Sequence, residues 1–217
     1  MHCAAILFDL DGVLIDSTSC VARHWRAWAE KHGLDADRIL RIAHGVRNVD
    51  TMRLISPYLD VEDEAALFAA HEVADTEGVV AVQGASSVLA SLDGALWAIV
   101  TSCSAALARA RLGTAHLLFP PLLITGDDVT HGKPDPEPFL LAAGRLGVAP
   151  ENCVVVEDAP AGTAAGKRAG MRTIGVAFTY TREELLAGGA EVVIDRLTGI
   201  QIHQADGGHI LIAVHRQ

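Results

Sequence analysis

Short, nearly continuous apolar runs alternate along this chain with longer segments in which apolar residues recur at helical spacing. Unbroken apolar runs are typical of strands covered on both faces, as in parallel sheets. The alternation therefore predicts an α/β fold, a doubly wound parallel sheet with right-handed crossovers. The predicted strands are Ala4–Asp9, Leu96–Thr101, Leu122–Thr125, Cys153–Glu157, Thr173–Ala177 and Glu191–Ile194. The helices predicted between them are Ala105–Leu112, Glu137–Leu146, Ala161–Ala169 and Arg182–Ala187.

The interval from Asp16 to about Ser86 breaks this rhythm, because it contains no convincing strand. Amphipathic helical patterns fill it instead. An all-helical block inserted after the first strand predicts a cap domain over the carboxyl edge of the sheet. We therefore expect a catalytic core of residues 1–15 and 87–217 and a cap of residues 16–86. The predicted cap helices are Val21–Lys31, Ala36–Ile42, Val49–Ile55 and Glu62–Asp75.

The C-terminal segment Ile200–Val214 follows a different pattern. Two alternating apolar runs flank the sequence Asp206-Gly207-Gly208. Asp and Gly at such a point favour a tight turn, so the segment predicts a β-hairpin, which we expect at a sheet edge.

Composition excludes several classes of function. Lys and Arg number 17 against 27 Asp and Glu, so the formal net charge is −10 and a duplex nucleic-acid binder is not expected. No apolar run approaches the length of a membrane span, and the first residues lack the basic start of a secretory signal. The scattered cysteines form no metal-binding pair and are expected to be reduced thiols of a cytoplasmic protein. They are Cys3, Cys20, Cys103 and Cys153.

Polar clusters follow the predicted strands at the ends where ligands bind in open α/β sheets. Asp9 and Asp11, two positions apart after a buried strand, repel each other unless a cation or a proton lies between them. The other clusters are Thr101-Ser102, Gly132-Lys133-Pro134 and Glu157-Asp158. The placement of all four clusters at one sheet edge is a more specific sign of a ligand site than any single cluster.

These residue types suit phosphoryl transfer. Carboxylate oxygens without clustered His or Cys favour Mg²⁺ over zinc. An Asp carboxylate can attack phosphorus and form an acyl phosphate, and a second carboxyl can protonate the leaving alcohol and then deprotonate water. Hydroxyl and amide groups near Thr101, with the ammonium of Lys133, would hold the phosphoryl oxygens.

The four motifs, in this order and at these separations, resemble the haloacid dehalogenase (HAD) superfamily. They read FDLDGV from Phe8, TS at Thr101, GKP at Gly132 and EDAPAG from Glu157. The helical insertion is similar to the C1-cap subfamily, whose core is Rossmann-like. The strings GKPDPEP and VVVEDAPAG, with HGVRNVD from His44, look like those of sugar- and polyol-phosphate phosphatases of the glycerol-phosphate and 2-deoxyglucose-6-phosphate type.

The resemblance implies roles for the acidic residues. Asp9 would be the nucleophile and a Mg²⁺ ligand. Asp11 would be the general acid/base and would offer its backbone carbonyl to the metal. Asp158 would ligate Mg²⁺ directly, and Glu157 would act on it through water.

The resemblance also assigns the substrate contacts. Thr101, the amide of Ser102 and Lys133 would bind the transferring phosphoryl group, and Lys133 counts among the catalytic groups. In the cap, His44 and Arg47 would lie on a loop facing the site and read the rest of the substrate, a small phosphorylated sugar or polyol. The expected assembly is a monomer or a small homo-oligomer.

Two alternatives stay open. The first is a mutase similar to β-phosphoglucomutase, which Val13 allows. Such mutases typically carry a His where this chain has Val21, and a polar and basic pair where it has Cys103 and Ser104, so hydrolysis is favoured. The second is a non-catalytic phosphate-binding protein, which nothing supports because every catalytic position holds the expected residue type. A dehalogenase is disfavoured by the paired Asp residues.

Overall fold

The computed structural model describes residues 1–204 and 209–215. Its main feature is the predicted parallel sheet of six strands, which lie side by side in the order Leu123–Ile124, Leu96–Val100, Ala5–Phe8, Cys153–Glu157, Arg172–Val176 and Val192–Ile194. The fold is therefore the predicted doubly wound α/β fold, and each strand end lies within one residue of its predicted position. The strands are β2 (Ala5–Phe8), β5 (Leu96–Val100), β6 (Leu123–Ile124), β7 (Cys153–Glu157), β8 (Arg172–Val176) and β9 (Val192–Ile194).

The central strands are buried on both faces, which explains their unbroken apolar sequences. Alternate residues of a strand point to opposite sides. Phe8 and Val156 enter the core cluster on one face, whereas Leu7 and Val155 enter the cluster on the other. Helices cover both faces: α5 (Ala85–Ala90), α6 (Ala105–Thr114), α7 (Glu137–Leu146), α8 (Pro160–Arg168) and α9 (Arg182–Gly188). The helix α5 was not predicted, since its six residues are too short to show a period.

The insertion forms a helical layer with a core of its own. Trp25 and Trp28 pack edge to face with ring centroids 5.5 Å apart, and Phe68 lies 4.5 Å from Trp25. Met52 and Ile39 complete this cluster, which is separate from the two clusters around the sheet. The helices are α1 (Thr18–His32), α2 (Ala36–Ala43), α3 (Asn48–Ile55) and α4 (Val61–Ala74).

The expectation that the insertion contains no strand is wrong. Its two connections to the core pair as a short antiparallel ribbon of β3 (Ile15–Asp16) and β4 (Val80–Ala81). Two residues per strand are too few to produce an alternation in sequence, so only the pairing reveals them. Asp16, the second residue of β3, accepts a hydrogen bond from the amide of Thr18 at 3.0 Å and so orders the start of α1.

The C-terminal strands differ from the prediction in their partner. β10 (Ile200–Gln204) and β11 (Ile210–Val214) pair antiparallel as expected. However, they extend no edge of the parallel sheet, because β11 pairs with β1 (His2–Cys3) and makes a separate three-stranded sheet. The predicted turn at Asp206-Gly207-Gly208 lies outside the described residues.

The sequence also predicts reduced cysteines and no membrane span. All four cysteines are unpaired. Among the described residues, no helix combines the length and the apolar character needed to cross a bilayer.

Candidate active site

The strand order brings the predicted polar clusters to one edge. β2 lies between β5 and β7, so Thr101, Asp9 and Asp158 follow three adjacent strands at their carboxyl ends. The amide of Asp9 donates to the carbonyl of Val156 at 2.9 Å, which extends the ladder up to the first carboxylate. Thr101, Asp9 and Asp158 are each 3% exposed, so these polar groups sit at the floor of a covered site.

Lys133 reaches into this floor as a buried ammonium. Its Nζ donates to Oδ1 of Asp9 at 2.8 Å, to Oε1 of Glu157 at 2.7 Å and to the carbonyl of Val100 at 2.8 Å. Burial opposes the charge on Lys133, but the two carboxylates more than offset it and raise its pKa above the usual value. Lys133 is therefore a fixed positive charge beside Asp9.

Glu157 is held by both of its oxygens. Oε1 binds Lys133, and Oε2 accepts from the amides of Asp158 and Ala159 at 3.0 and 3.1 Å. A Cβ at Gly162 would lie 1.8 Å from Oε1, so only glycine leaves room for this carboxylate. Because Glu157 is already occupied by these donors, it is better placed to orient the site than to offer a free oxygen.

Three buried carboxylates form a group that could hold a cation. Oxygens of Asp9, Glu157 and Asp158 lie within 4.8 Å of one another. Burial, and then repulsion among the acids, raises the pKa of Asp158 well above its usual value, and burial likewise raises the pKa of Asp9 against the opposing effect of Lys133. One ammonium does not balance three carboxylates, and oxygen donors suit a hard divalent ion, so the residues fit such a cation.

Gly12 allows the turn after β2 to approach this group. Its φ of +80° is in the left-handed region, and a Cβ there would lie 1.9 Å from Oδ2 of Asp158. The glycine of the first motif is thus needed for both the backbone conformation and the space beside the carboxylate.

Asp11 lies beside the cluster but binds other partners. Its Oδ1 accepts from Oγ of Ser17 at 2.6 Å and from Nη1 of Arg111 at 2.8 Å. Arg111 extends from the core helix α6, and its Nη2 donates to Oε1 of Glu72 on the cap helix α4 at 3.0 Å. Arg111 and Glu72 are each 3% exposed. An ion triad, with Arg111 and Glu72 buried and Asp11 partly exposed, therefore connects Asp11 to the cap.

Sequence reasoning missed Arg111 and Glu72, although a signal was present. Leu107, Ala108 and Leu112 are the buried positions of α6, and Arg111 falls on the same face. In α4, Glu72 likewise continues the stripe of Val61 and Phe68. A charged residue on the apolar stripe of an amphipathic helix indicates that it has a buried partner of opposite charge.

A small cavity of about 50 Å³ lies between the cap and the sheet edge. Asp9, Asp11 and Thr101 line it from the core, and His44 lines it from the cap. Ser102 also lines it, and its Oγ donates to the carbonyl of Gly45 at 2.8 Å. The cavity therefore lies between the two carboxylates of the first motif and the cap loop that carries His44.

Arg47 is placed differently from His44. It does not line this cavity, and its guanidinium instead donates to the carbonyls of Val129 and Thr130 at 3.0 and 2.9 Å, on the loop before Lys133. Asp50 pairs with its Nε at 2.6 Å. In this arrangement Arg47 fastens the cap to the core, rather than facing the space next to Asp9.

Cys103, next to the second motif, and Val21, on the cap helix α1, also line the cavity. Cys103 lies 3.2 Å, sulfur to oxygen, from the hydroxyl of Thr101, and burial raises the pKa of its thiol. Cys103 is therefore a neutral neighbour of Thr101. Val21 adds an apolar wall.

Comparison with known proteins is consistent with this geometry. A family model described as haloacid dehalogenase-like hydrolase matches residues 3–170. The chain is 39% identical to hexitol phosphatase A of Escherichia coli strain K12 over 98% of its length and 100% of that protein. It is 33% identical to 2-deoxyglucose-6-phosphate phosphatase 2 of Saccharomyces cerevisiae, covering 96% and 94% of the two chains. A hydrolase from Pseudomonas syringae superposes with a TM-score of 0.80 at 27% identity, covering 90% and 94%.

Proposed function

The chain belongs to the haloacid dehalogenase-like hydrolase family, and on that premise we propose that it is a Mg²⁺-dependent phosphatase of small sugar or polyol phosphate monoesters. The observation that carries the proposal is the buried group of Asp9, Glu157, Asp158 and Lys133 beneath a capped cavity. The names of the relatives, a hexitol phosphatase and a deoxyglucose-6-phosphate phosphatase, support the substrate class.

The acidic residues divide the work of binding the cation. Asp9, Asp158 and the backbone carbonyl of Asp11 would hold Mg²⁺, and Glu157, whose oxygens are engaged by Lys133 and two amides, would act on it through water. When bound, the cation offsets the negative charge of these carboxylates and of the phosphoryl oxygens.

Asp9 is the nucleophile of the proposed reaction. Its carboxylate oxygen attacks phosphorus, and the bond from phosphorus to the ester oxygen breaks as the aspartyl phosphate forms. Asp11 gives its proton to the leaving oxygen. In the second half, Asp11 takes a proton from water, the water oxygen attacks the same phosphorus, and the bond to Asp9 breaks to release phosphate.

The phosphoryl group is held by the second and third motifs. Lys133 supplies a fixed positive charge 2.8 Å from Asp9, and Thr101 lines the cavity together with Asp9. The amide of Ser102 would add a donor at the sheet edge. Such groups stabilise charge that develops on the phosphoryl oxygens. We further propose that residues 16–86 act as the cap, which opens to admit substrate and closes to exclude water.

The charges around the cavity favour hydrolysis over mutase chemistry. A phosphosugar mutase must accommodate a substrate with two phosphoryl groups, so its cap needs a second cationic site. Among the described residues that line the cavity, Arg111 is the single Lys or Arg, and Asp11 and Glu72 already pair with it.

The unpaired thiols agree with a reducing compartment, which supports a cytoplasmic location.

Phosphate release from a panel of sugar, polyol and nucleotide monophosphates, with Mg²⁺ and with a chelator, tests the proposal. We expect Mg²⁺-dependent release, fastest with polyol and sugar phosphates. Absence of release from every ester would leave only a binding role. Conversion of β-glucose 1-phosphate to glucose 6-phosphate without free phosphate would establish the mutase instead.

A further inference from the structure

We propose that Glu72, Asn48 and Arg111 form the leaving-group subsite, which selects alcohols that carry free hydroxyls and no second negative charge. This inference rests on the proposed phosphatase function and names the residues that choose its substrate. Of the two residues expected from the sequence to read the substrate, His44 lines the same cavity, whereas Arg47 does not.

The position of the three residues follows from the geometry of the reaction. Asn48, Glu72 and Arg111 line the same cavity as Asp9 and Asp11. If Asp9 attacks phosphorus, the leaving oxygen lies on the far side of the phosphoryl group, within reach of Asp11. The rest of the alcohol must then occupy the space next to Asp11, and Arg111 lies there, 2.8 Å from Asp11.

Unused hydrogen-bonding capacity indicates a ligand at this place. Oε1 of Glu72 accepts from Arg111 at 3.0 Å and Oε2 accepts from Nδ2 of Asn48 at 2.7 Å. A carboxylate offers about four acceptor sites, so each oxygen of Glu72 can accept one more donor. Nε of Arg111 is buried and has no hydrogen-bond partner among the described residues. Hydroxyl groups supply both a donor for Glu72 and an acceptor for Arg111.

The charges of the subsite exclude anionic alcohols. Arg111 is the single Lys or Arg among the described residues that line the cavity, and it already pairs with Glu72 at 3.0 Å and donates to Asp11 at 2.8 Å. Even when Asp11 is protonated as the general acid, a carboxylate or second phosphate on the substrate would meet the charge of Glu72 with no unpaired cation to balance it, in a site with little water. The apolar side chains of Val21, Trp25 and Leu107 line the same cavity and can pack against carbon–hydrogen surface.

The subsite is assembled from two layers. Asn48 and Glu72 belong to the cap helices α3 and α4, whereas Arg111 belongs to the core helix α6. The cavity of about 50 Å³ is far smaller than the several hundred Å³ of ordinary ligand pockets, so an alcohol must enter with the cap displaced. Hydroxyls on the alcohol then complete the contacts between the layers as the cap returns.

Paired substrates test the subsite. The leaving group of sorbitol 6-phosphate carries several free hydroxyls, whereas the leaving group of p-nitrophenyl phosphate carries no free hydroxyl. We expect Glu72→Gln and Asn48→Ala to lower kcat/KM for sorbitol 6-phosphate about tenfold to a hundredfold, the loss of one or two hydrogen bonds to a charged group. The loss for p-nitrophenyl phosphate should be at least about five times smaller, since that ester makes none of these bonds. Glu62→Gln, an exposed position on the same helix, is the matched control and should leave both rates unchanged.

A second pair isolates the charge effect. Glycerol 3-phosphate and 3-phosphoglycerate have leaving groups of similar size, but the second carries a carboxylate. The unmodified protein should prefer glycerol 3-phosphate, and Glu72→Gln should reduce that preference at least about fivefold, because one repelling charge is removed. Asn48→Ala, which keeps the charge of Glu72, should not reduce it. Thermal unfolding of each variant establishes that it is folded.

The outcomes separate the two proposals. Two results would overturn the subsite while the phosphatase function stands, provided that the unmodified protein hydrolyses sorbitol 6-phosphate. One is an equal loss of activity on sorbitol 6-phosphate and p-nitrophenyl phosphate in every variant. The other is an unchanged preference for glycerol 3-phosphate over 3-phosphoglycerate in Glu72→Gln. If the unmodified protein releases phosphate from no ester, both are overturned. Should Glu72→Gln fail to fold, the result with Asn48→Ala decides.

Discussion

Nζ of Lys133 lies 2.8 Å from Oδ1 of Asp9, although 124 positions separate the two residues in the chain. The same ammonium binds Glu157 at 2.7 Å, and both partners are nearly inaccessible to solvent. One buried cation therefore compensates two carboxylates. It also ties the loop after β6 to the carboxyl ends of β2 and β7, so the stability of the fold and the chemistry of the site depend on the same contact.

Replacing Lys133 should damage both stability and activity. Lys133→Met leaves two buried carboxylates without their cation, and breaking a buried ion pair in this way costs about 3–5 kcal/mol. We expect the free energy of unfolding in urea to fall by that order and phosphate release to be lost. Lys167→Met, at an exposed position of α8, is the control and should change neither quantity. A stable Lys133→Met variant would contradict the compensating role.

Asp9→Asn should separate chemistry from folding. The amide removes the proposed nucleophile but relieves the crowding of Asp9, Glu157 and Asp158, while Lys133 keeps Glu157 as a partner. We expect phosphate release to fall at least about a thousandfold, as when a nucleophile is removed. The metal-free thermal transition should remain cooperative, with Tm unchanged or higher. Residual activity near that of the unmodified protein would exclude Asp9 as the nucleophile.

Magnesium should stabilise the protein through Asp158. A ligand that binds only the folded state at a hundred times its Kd adds about 2.7 kcal/mol, so Mg²⁺ should raise Tm measurably. In Asp158→Asn the increase should disappear. Glu151→Gln removes an exposed charge next to the opposite end of β7 and should keep the increase. If Asp158→Asn responds to Mg²⁺ as the unmodified protein does, the cation binds elsewhere.

Arg47→Ala tests whether Arg47 fastens the cap or reads the substrate. Its bonds to the carbonyls of Val129 and Thr130 predict that the cap closes less well without it. We expect KM to rise by similar factors, about threefold to thirtyfold, for sorbitol 6-phosphate and p-nitrophenyl phosphate. Arg53→Ala is the control, because Arg53 shares the partner Asp50 and has no bond to the core among the described contacts. A loss confined to the polyol ester would restore the role expected from the sequence.

The cap should also show an acid-dependent stability at Glu64. Hydrogen bonds from Lys31, and then from Trp28 and His32, lower the pKa of Glu64 from 4.5 to about 2. A lowered acid pKa stabilises the folded state above pH 4.5, and this contribution is lost as the pH falls through about 2. The difference in free energy of unfolding between the unmodified protein and Glu64→Gln should therefore shrink between pH 4.5 and pH 2.

Lys31→Met provides the matching control for Glu64. It removes the principal cause of the lowered pKa, so the pH dependence attributed to Glu64 should weaken in this variant as well. Added salt should reduce the effect, since Lys31 is 56% exposed. A difference between the proteins that is constant with pH would contradict the assignment.

The sequence predicted most of the sheet because its signals are local. Runs such as that of Cys153–Glu157 coincide with their strand, and helix α7 begins and ends where the periodicity placed it. The ribbon of β3 and β4 and the pairing of β11 with β1 were missed, since they depend on a partner far away in the chain. Short strands carry too few residues to show a period.

The sequence by itself determined the fold class and the group of acids and Lys133 at one sheet edge. Parallel strands place their carboxyl ends together, and polar residues after buried strands are visible without coordinates. Only the tertiary structure decided the partners of the long side chains. Arg111 meets Asp11 across 100 positions and Glu72 across 39, and Arg47 turns to the core loop instead of the cavity. These contacts depend on how the cap packs against the core. The helical period can mark Arg111 and Glu72 as buried charges, but it does not say which partner each one meets.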